Sequence, residues 1–309
     1  MNTRYKLSVV IVTKNRAGHL EKCLDSITQQ TLQPYEVVVV DNNSTDATPE
    51  VIKKWKRQVK FSVRRVLEKG SGYPRIYNKG ISESKGDWVV FIDDDCIAEK
   101  EWLASAATAM KRRQLDVVLG KSLTQKPQNV YSLAVYLFQE DWKKKWIRGK
   151  VIRNFEVLDN KNIAYRKGFL DQHHLRYDEK RMSVLGGAAE DCELGARIQE
   201  KGGKAVFVSQ MIVSHADPQN WEWYWKKYFK SLAAFMTFQG QVANQNVKPE
   251  LHSFRQLLNE TADQYHYGFF KRKLFMLLVY STVVMSMILK RAQRVPVLQQ
   301  KYIEWCERL

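Results

Sequence analysis

The sequence predicts an α/β fold: a mostly parallel central sheet flanked by helices, continued by a helical C-terminal region. Three observations predict it. Several short runs of β-branched residues are apolar at every position, as strands covered on both faces are. Stretches with apolar residues at helical spacing alternate with those runs, which is the pattern of a parallel sheet. Polar or acidic clusters follow three of the runs directly, where open α/β sheets bind their ligands.

Taken in order, Leu7–Val12 (LSVVIV) reads as the first buried strand, and Leu20, Leu24 and Ile27 mark a helix after it. Val37–Val40 is a second buried strand, ending in the cap-rich loop Asp41-Asn42-Asn43-Ser44-Thr45-Asp46. A helix carrying Val51, Ile52 and Trp55 follows, then a short helix over Ile76–Ser82. Trp88–Ile92 (WVVFI) is the third buried strand and stops at Asp93-Asp94-Asp95. Glu101–Arg113 is a helix with Trp102, Leu103, Ala106 and Met110 on one side, and Asp116–Leu119 is a further strand. Residues 121–160 give no clear period. Beyond them, Asn162–Tyr165 reads as a strand, and Gly186-Gly187 as a flexible link into Ala189-Glu190-Asp191. A helix from about Cys192 to Glu200 closes at Gly202-Gly203. Ala205–Val208 and Met211–Val213 are short strands, and from Trp221 onward the pattern is helical and basic.

At 309 residues the chain is one large domain or two modest ones, on a prior of about 150 residues each. Hydrophobic residues make up 44% and charged residues 27%, which supports a full core and excludes a disordered chain. The net charge of +17 excludes an acidic solvating protein and points to anionic partners. Residues 1–120 carry +5 of it and residues 121–309 carry +12. The four cysteines, Cys23, Cys96, Cys192 and Cys306, are scattered without a CxxC pair, against a zinc site and against a disulfide scaffold. Free thiols suit a reducing cytosol. The run after MNTRYK is too short for a signal peptide and no small-residue cleavage site follows, so none is expected.

Three carboxylates in a row after a buried strand repel one another unless cations or hydrogen bonds compensate. Hard carboxylate oxygen ligands suit Mn²⁺ or Mg²⁺ rather than zinc. Asp191 opens a helix and reads either as a cap or, with Glu190 beside it and glycines before it, as a carboxylate presented into a cleft. His215 follows the strand MIVS.

LSVVIVTKNR, VVVVDNNSTDAT, NKGI, DWVVFIDDDC and AEDCELGARIQEKGGKAVFV, in that order, resemble the inverting glycosyltransferases of family 2. The resemblance covers residues 6–217, to a non-processive, bacterial-type member. It implies the GT-A nucleotide-diphospho-sugar transferase fold, with residues 1–120 as the nucleotide-sugar-binding half and 121–217 as the acceptor-binding, catalytic half of one domain. Residues 218–309 would be a basic, helical, membrane-associating region. By the resemblance, Thr13, Asn15 and Arg16 lie near the donor nucleotide, and Asp41 accepts a hydrogen bond from its base. Asn78 helps hold the donor, Asp93 reaches the ribose with Asp94 beside it, and Asp95 binds the metal, Mn²⁺ or Mg²⁺, with His215 as a further ligand. Asp191, next to Glu190, is the general base, and Asn162 lies near donor and acceptor. Arg75-Ile76-Tyr77-Asn78 departs from the Ala-Arg-Asn that many members carry. The Gln-x-x-Arg-Trp motif of polymer synthases is missing, so one sugar is expected per acceptor.

The implied activity is transfer of one sugar from a nucleoside-diphosphate sugar, UDP first, to a hydroxyl of a glycan or lipid-linked acceptor. The alternatives are a basic nucleic-acid-binding protein and a catalytically inactive nucleotide-binding protein. No nucleic-acid motif is present, so nucleic acid is not an expected partner. A nucleotidyltransferase would open with a Gly-rich phosphate loop, which VIVTKNRAG matches poorly. Leu274–Leu289 is an uncharged run flanked by basic residues. As a helix it reaches about 24 Å, short of the roughly 30 Å hydrocarbon core, and reads as an interfacial or a buried helix. With Trp221–Lys230 it suggests an anionic membrane surface as a further partner. The expected location is cytoplasmic, peripheral on the inner face of the cytoplasmic membrane. Oligomeric state is not legible.

Overall fold

The computed structural model describes residues 5–70, 72–111, 114–126, 128–180, 189–226, 259, 262, 263, 266 and 268–292. Gly186-Gly187, Cys306 and the last four residues of the Trp221–Lys230 segment lie outside them. The chain divides into two compact units, the first made of residues 1–123, 146–182 and 190–216 and the second of the rest.

The first unit is built on one sheet. Its strands are β1 (Leu7–Thr13), β2 (Glu36–Asp41), β3 (Ser62–Leu67), β4 (Trp88–Ile92), β5 (Cys96–Ala98), β6 (Val117–Thr124), β7 (Ile147–Arg148), β8 (Val151–Ile152), β9 (Asn162–Arg166) and β10 (Ala205–His215). The strand order is β3-β2-β1-β4-β9-β6-β10-β8-β7, with β5 beside β10. The neighbours β3, β2, β1 and β4 run parallel, as the alternation of strands and helices predicts. β9 pairs antiparallel with β4 on one side and with β6 on the other. The strand read at Asp116–Leu119 is the start of β6, in that antiparallel part.

Helices α1 (Ala17–Thr28), α2 (Thr48–Gln58), α3 (Tyr73–Glu83), α4 (Trp102–Met110), α6 (Lys167–Gln172) and α7 (Glu190–Glu200) belong to this unit. Every residue of β1, β2 and β4 is buried, with Val9, Val10, Ile11 and Val37 to Val40 fully so. Each such side chain is worth about 1.5–3 kcal/mol of transfer free energy, which is why these runs were legible as strands. α3 crosses the sheet at Gly80, where a Cβ would stand 2.5 Å from Val10 Cγ1. α7 is seated more tightly still. A Cβ on Gly195 would collide with the Phe155 carbonyl oxygen, in the 3₁₀ turn Phe155–Val157. That contact fixes the helix whose first turn carries Glu190 and Asp191.

In the second unit, helix α5 (Val130–Trp146) contributes Val130, Leu133, Ala134 and Leu137 to a core with Tyr224, Ala262, Phe275, Leu278 and Val279. The last three belong to α8 (Phe269–Ala292). Among the described residues no helix is long and apolar enough to cross a membrane.

Gly195→Ala is expected to destabilise by about 1–3 kcal/mol, because backbone rather than a flexible side chain occupies the space. Thermal unfolding should show a melting temperature lower by several degrees. An unchanged melting temperature would mean α7 is not held by this contact.

Candidate active site

β1 has β2 on one side and β4 on the other, so the strand order reverses between β1 and β4. A crevice forms at such a switch point, at the carboxyl ends of the two strands. Thr13 ends β1, and Asp93-Asp94-Asp95 follows β4. The three carboxylates are treated differently by the fold. Asp94 is buried: Thr13 Oγ1 donates to its Oδ2 at 2.7 Å and Arg16 Nη1 to its Oδ1 at 3.0 Å. The same Arg16 nitrogen lies 2.9 Å from Asp95 Oδ2. Burial pushes the Asp94 carboxyl up and Arg16 opposes it. Arg16, expected near the donor nucleotide, is therefore also the cation that makes the triple carboxylate tolerable.

Asp93 and Asp95 turn toward a third element. His215 ends β10 opposite Cys96 of β5, and its Nε2 lies 3.4 Å from Asp95 Oδ1. The backbone N–H of Ala216 donates to the Asp95 carbonyl at 3.1 Å, tying the two segments together. Asp93, Asp95 and His215 each offer a ligand atom within 4.8 Å of the others. Two carboxylates and one imidazole suit a hard to borderline cation, Mn²⁺ or Mg²⁺. Burial and the charge of Asp95 hold the Asp93 carboxyl well above its ordinary range. A cation seated there would reverse that balance, so the residues fit the group. Asp93 thus stands with Asp95 and His215, whereas the resemblance put it on the ribose.

Asp41 is fully buried at the end of β2. Its Oδ2 accepts from Arg65 Nε at 2.8 Å, and its Oδ1 from the Ser44 N–H at 2.9 Å. Asn15 has a positive φ of 52°, and its Oδ1 accepts from the Thr45 N–H at 2.7 Å. Together these bonds lock the loop after β1 to the loop after β2. Asn78 spends its amide on another segment: Nδ2 donates to the Tyr177 carbonyl at 2.9 Å, and Oδ1 accepts from the Tyr177 N–H at 2.8 Å. Arg75 reaches Glu179 on the same segment at 3.2 Å. Asn162, expected beside donor and acceptor, is fully buried in the sheet. It accepts from Trp102 Nε1 and donates to the Lys121 and Met211 carbonyls.

Glu190 and Asp191 sit half-buried in the first turn of α7, where the helix dipole favours acidic groups. The Cys192 N–H donates to Asp191 Oδ1 at 2.9 Å. Burial, then the charge of Asp159, pushes the Asp191 carboxyl up to about 6. Burial, then Asp191, pushes Glu190 higher still. Asp159 and Lys161, an ion pair on the loop before β9, had no place in the sequence reading. Nor did Tyr73, exposed at the start of α3 and stacked on Tyr77, within electrostatic reach of Arg16, Asp93, Asp94 and Glu190.

The family model described as Glycosyl transferase family 2 matches residues 8–171, more than half of the chain. The chain belongs to glycosyl transferase family 2. The glycosyltransferase GlyA of Streptococcus pneumoniae is 22% identical over 211 residues, 68% of this chain and 30% of that protein. The family 2 chain thus spans about a third of the length of that curated relative. Among solved structures, the mannosyltransferase PcManGT from Pyrobaculum calidifontis, in complex with GDP-Man and Mn²⁺, is similar with a TM-score of 0.61 at 17% identity. The similarity covers 98% of this chain and 88% of that one. TarS of S. aureus in complex with UDP-GlcNAc is similar with a TM-score of 0.54 at 20% identity, over 85% of this chain and 73% of that one. At these identities the likeness is one of fold, and the fold is GT-A, as the motifs of this family 2 chain imply.

Arg16→Met removes the guanidinium from Asp94 and Asp95. Arg16 is half-exposed, so the expected loss is about 1 kcal/mol at neutral pH, the low end for charged hydrogen bonds. The Asp94 carboxyl is already raised above its unfolded value, so its destabilising charge vanishes as pH falls. The melting-temperature deficit should be clear at pH 7.5 and shrink toward pH 4. A deficit that grows on acidification would contradict this placement of Arg16.

Proposed function

We propose that this chain is a metal-dependent inverting glycosyltransferase moving one sugar from a nucleoside-diphosphate sugar to a hydroxyl of a glycan or lipid-linked acceptor. The observation that carries the reading is the convergence of Asp93, Asp95 and His215 at the strand-order reversal, in the same unit as Asp191 on α7. A divalent cation held by Asp93, Asp95 and His215 would offset the charge building on the departing diphosphate. Asp191 takes the proton of the acceptor hydroxyl. The acceptor oxygen forms its bond to the anomeric carbon as the bond from that carbon to the diphosphate oxygen breaks. Attack opposite the leaving group inverts the anomeric centre, and the proton stays on Asp191 until product leaves. General base help of this kind is worth about 10²–10⁴ in rate. Thr13, Asn15 and Arg16 shape the rim where the nucleotide would sit, with Asp41 under that rim. Burial and repulsion from neighbouring carboxylates raise both Glu190 and Asp191, so the pair holds a proton more readily than free carboxylates do.

We take a UDP-sugar as the donor. UDP-GlcNAc in S. aureus TarS supports uridine, while GDP-Man in PcManGT supports a guanosine donor, and titration against both separates them.

Asp191→Asn is expected to leave UDP binding within about twofold and to slow transfer by 10² or more. Release of UDP from UDP-GlcNAc with Mn²⁺, water serving as acceptor, reads the rate. In the unsubstituted protein the raised carboxyl places the acid limb near pH 6, with a tenfold fall for each unit below it. Transfer by Asp191→Asn at near-normal rate would remove Asp191 from the role.

The chain works, on this reading, in the cytoplasm and peripherally on an anionic membrane. α8 supports this because it is apolar on two faces. Phe275, Leu278 and Val279 are buried in the core of the second unit. Phe270 (86% exposed), Leu274 (51%) and Leu277 (67%) line the other face at helical spacing, with Lys271 and Lys273 among them. Apolar residues beside lysines, in a chain of charge +17, suit an anionic bilayer surface. Phe270→Asp with Leu277→Asp should abolish co-flotation with vesicles containing phosphatidylglycerol and leave the melting temperature unchanged. Equal flotation before and after the substitutions, or none with either protein, would contradict membrane docking through this face.

A further inference from the structure

A cleft of about 560 Å³ lies at the end of β4 away from Asp93. Trp88 opens that strand and Asp93 follows its last residue, so the two ends stand roughly 16 Å apart at about 3.3 Å per residue. The walls come from several elements of the first unit: Tyr5 before β1, Met110 at the end of α4, Asp116 before β6, Arg166 at the end of β9, Phe169 on α6 and Lys204 before β10. The volume is that of an ordinary small-molecule site, which runs to about 300–1,000 Å³.

The polar groups of the cleft are unevenly engaged. Asp116 is the one acidic residue lining it and is buried. Its Oδ1 accepts from Arg166 Nε at 2.9 Å and Nη2 at 2.5 Å, and its Oδ2 from the Lys204 backbone N–H at 2.9 Å. Gln114 Oε1 accepts from Lys204 Nζ at 2.5 Å. These acceptors are taken, and donors remain: Arg166 Nη1, the other hydrogens of the Lys204 ammonium and the Gln114 amide NH₂. Trp88, 1% exposed, adds a buried Nε1–H without a hydrogen-bond partner among the described residues. A buried donor left unmade works against the fold, and a ligand oxygen in the cleft would supply its acceptor. The apolar surface is flat and sits beside the positive charge. Arg166 Cζ lies 5.9 Å from the centre of the Phe169 ring, and the His173 ring packs on the same phenyl at 4.5 Å.

We propose that this cleft is a second small-molecule site, one that takes a sugar phosphate. Two cations against one neutralised carboxylate, with donors arriving from separate elements, suit the several acceptor oxygens of a phosphate group. The Phe169 ring and Met110 offer the apolar surface on which the carbon face of a sugar packs. The proposal does not depend on the transferase reading, since none of these residues belongs to the donor or metal site.

The test is calorimetric titration of the full chain with glucose 6-phosphate while UDP and Mn²⁺ are present at saturation. Binding is expected there and equally in Asp95→Ala, with inorganic phosphate and glucose each weaker by about tenfold or more. Gln172→Glu with Lys204→Glu puts two negative charges at exposed positions of the rim. That variant should weaken glucose 6-phosphate by about tenfold or more and leave the melting temperature and the UDP titration unchanged. In ¹⁵N-labelled protein the Trp88 indole signal, assigned from Trp88→Phe, should move as glucose 6-phosphate is added. If the double variant fails to fold, Lys204→Met and the indole signal still decide. Absence of glucose 6-phosphate binding, inorganic phosphate bound as tightly, or a Trp88 signal that stays still would overturn the proposal. So would binding that UDP and Mn²⁺ displace, which would put the ligand in the donor site. Failure of UDP to bind under any condition would instead count against the transferase reading and leave this cleft to be judged by Asp95→Ala and the rim variant.

Discussion

The arrangement of this protein depends on how negative charge is managed at the end of one buried strand. β4 delivers Asp93, Asp94 and Asp95 at the carboxyl end of the sheet, beside β1, where the strand order reverses. Left alone, three adjacent carboxylates there would repel one another and lose their hydration. The fold divides them. Asp94 is bound inward by Thr13 and Arg16, and Asp95 shares Arg16 while facing His215. Asp93 is left with its proton affinity raised. A site with one carboxylate neutralised and two presented beside an imidazole is suited to a divalent cation, and the cation's charge would then be available to an anionic leaving group.

The second half of the first unit answers that site with a second acidic group of different character. Asp191 accepts from the N–H group of Cys192 at the start of α7, and α7 is held against the turn at Phe155 through Gly195. An active site that must accept a proton on one side of a sugar and stabilise an anion on the other needs its two centres tuned separately.

Much of this was legible because the physics is local. Continuous burial forces continuous apolar runs, so β1, β2 and β4 stood out, and with them the polar residues at their ends. β3 did not, because it borders the sheet and carries Arg64 and Arg65 in its middle. Both arginines are explained only by their partners, Glu36 and Asp41 on the neighbouring strand. β10 was read as two short strands because Ser209 and Gln210 are exposed in the middle of one continuous strand. Asn78 and Asn162 resembled ligand-binding amides in sequence. Their hydrogen bonds go to the backbone of Tyr177, Lys121 and Met211, a role that spacing does not reveal. Asp159 and Lys161 were invisible because an acid and a base two residues apart are usually solvated, and only their burial distinguishes them.

The central claim is that the crevice at β1 and β4 binds a nucleoside diphosphate through a divalent cation. Isothermal titration of the full chain with UDP, in the presence and absence of Mn²⁺, tests it most directly, with GDP as the parallel titrant. The account predicts binding that requires Mn²⁺ and that is lost in Asp95→Ala. Equal binding of UDP with and without Mn²⁺, or no binding of either nucleotide under any condition, would contradict it.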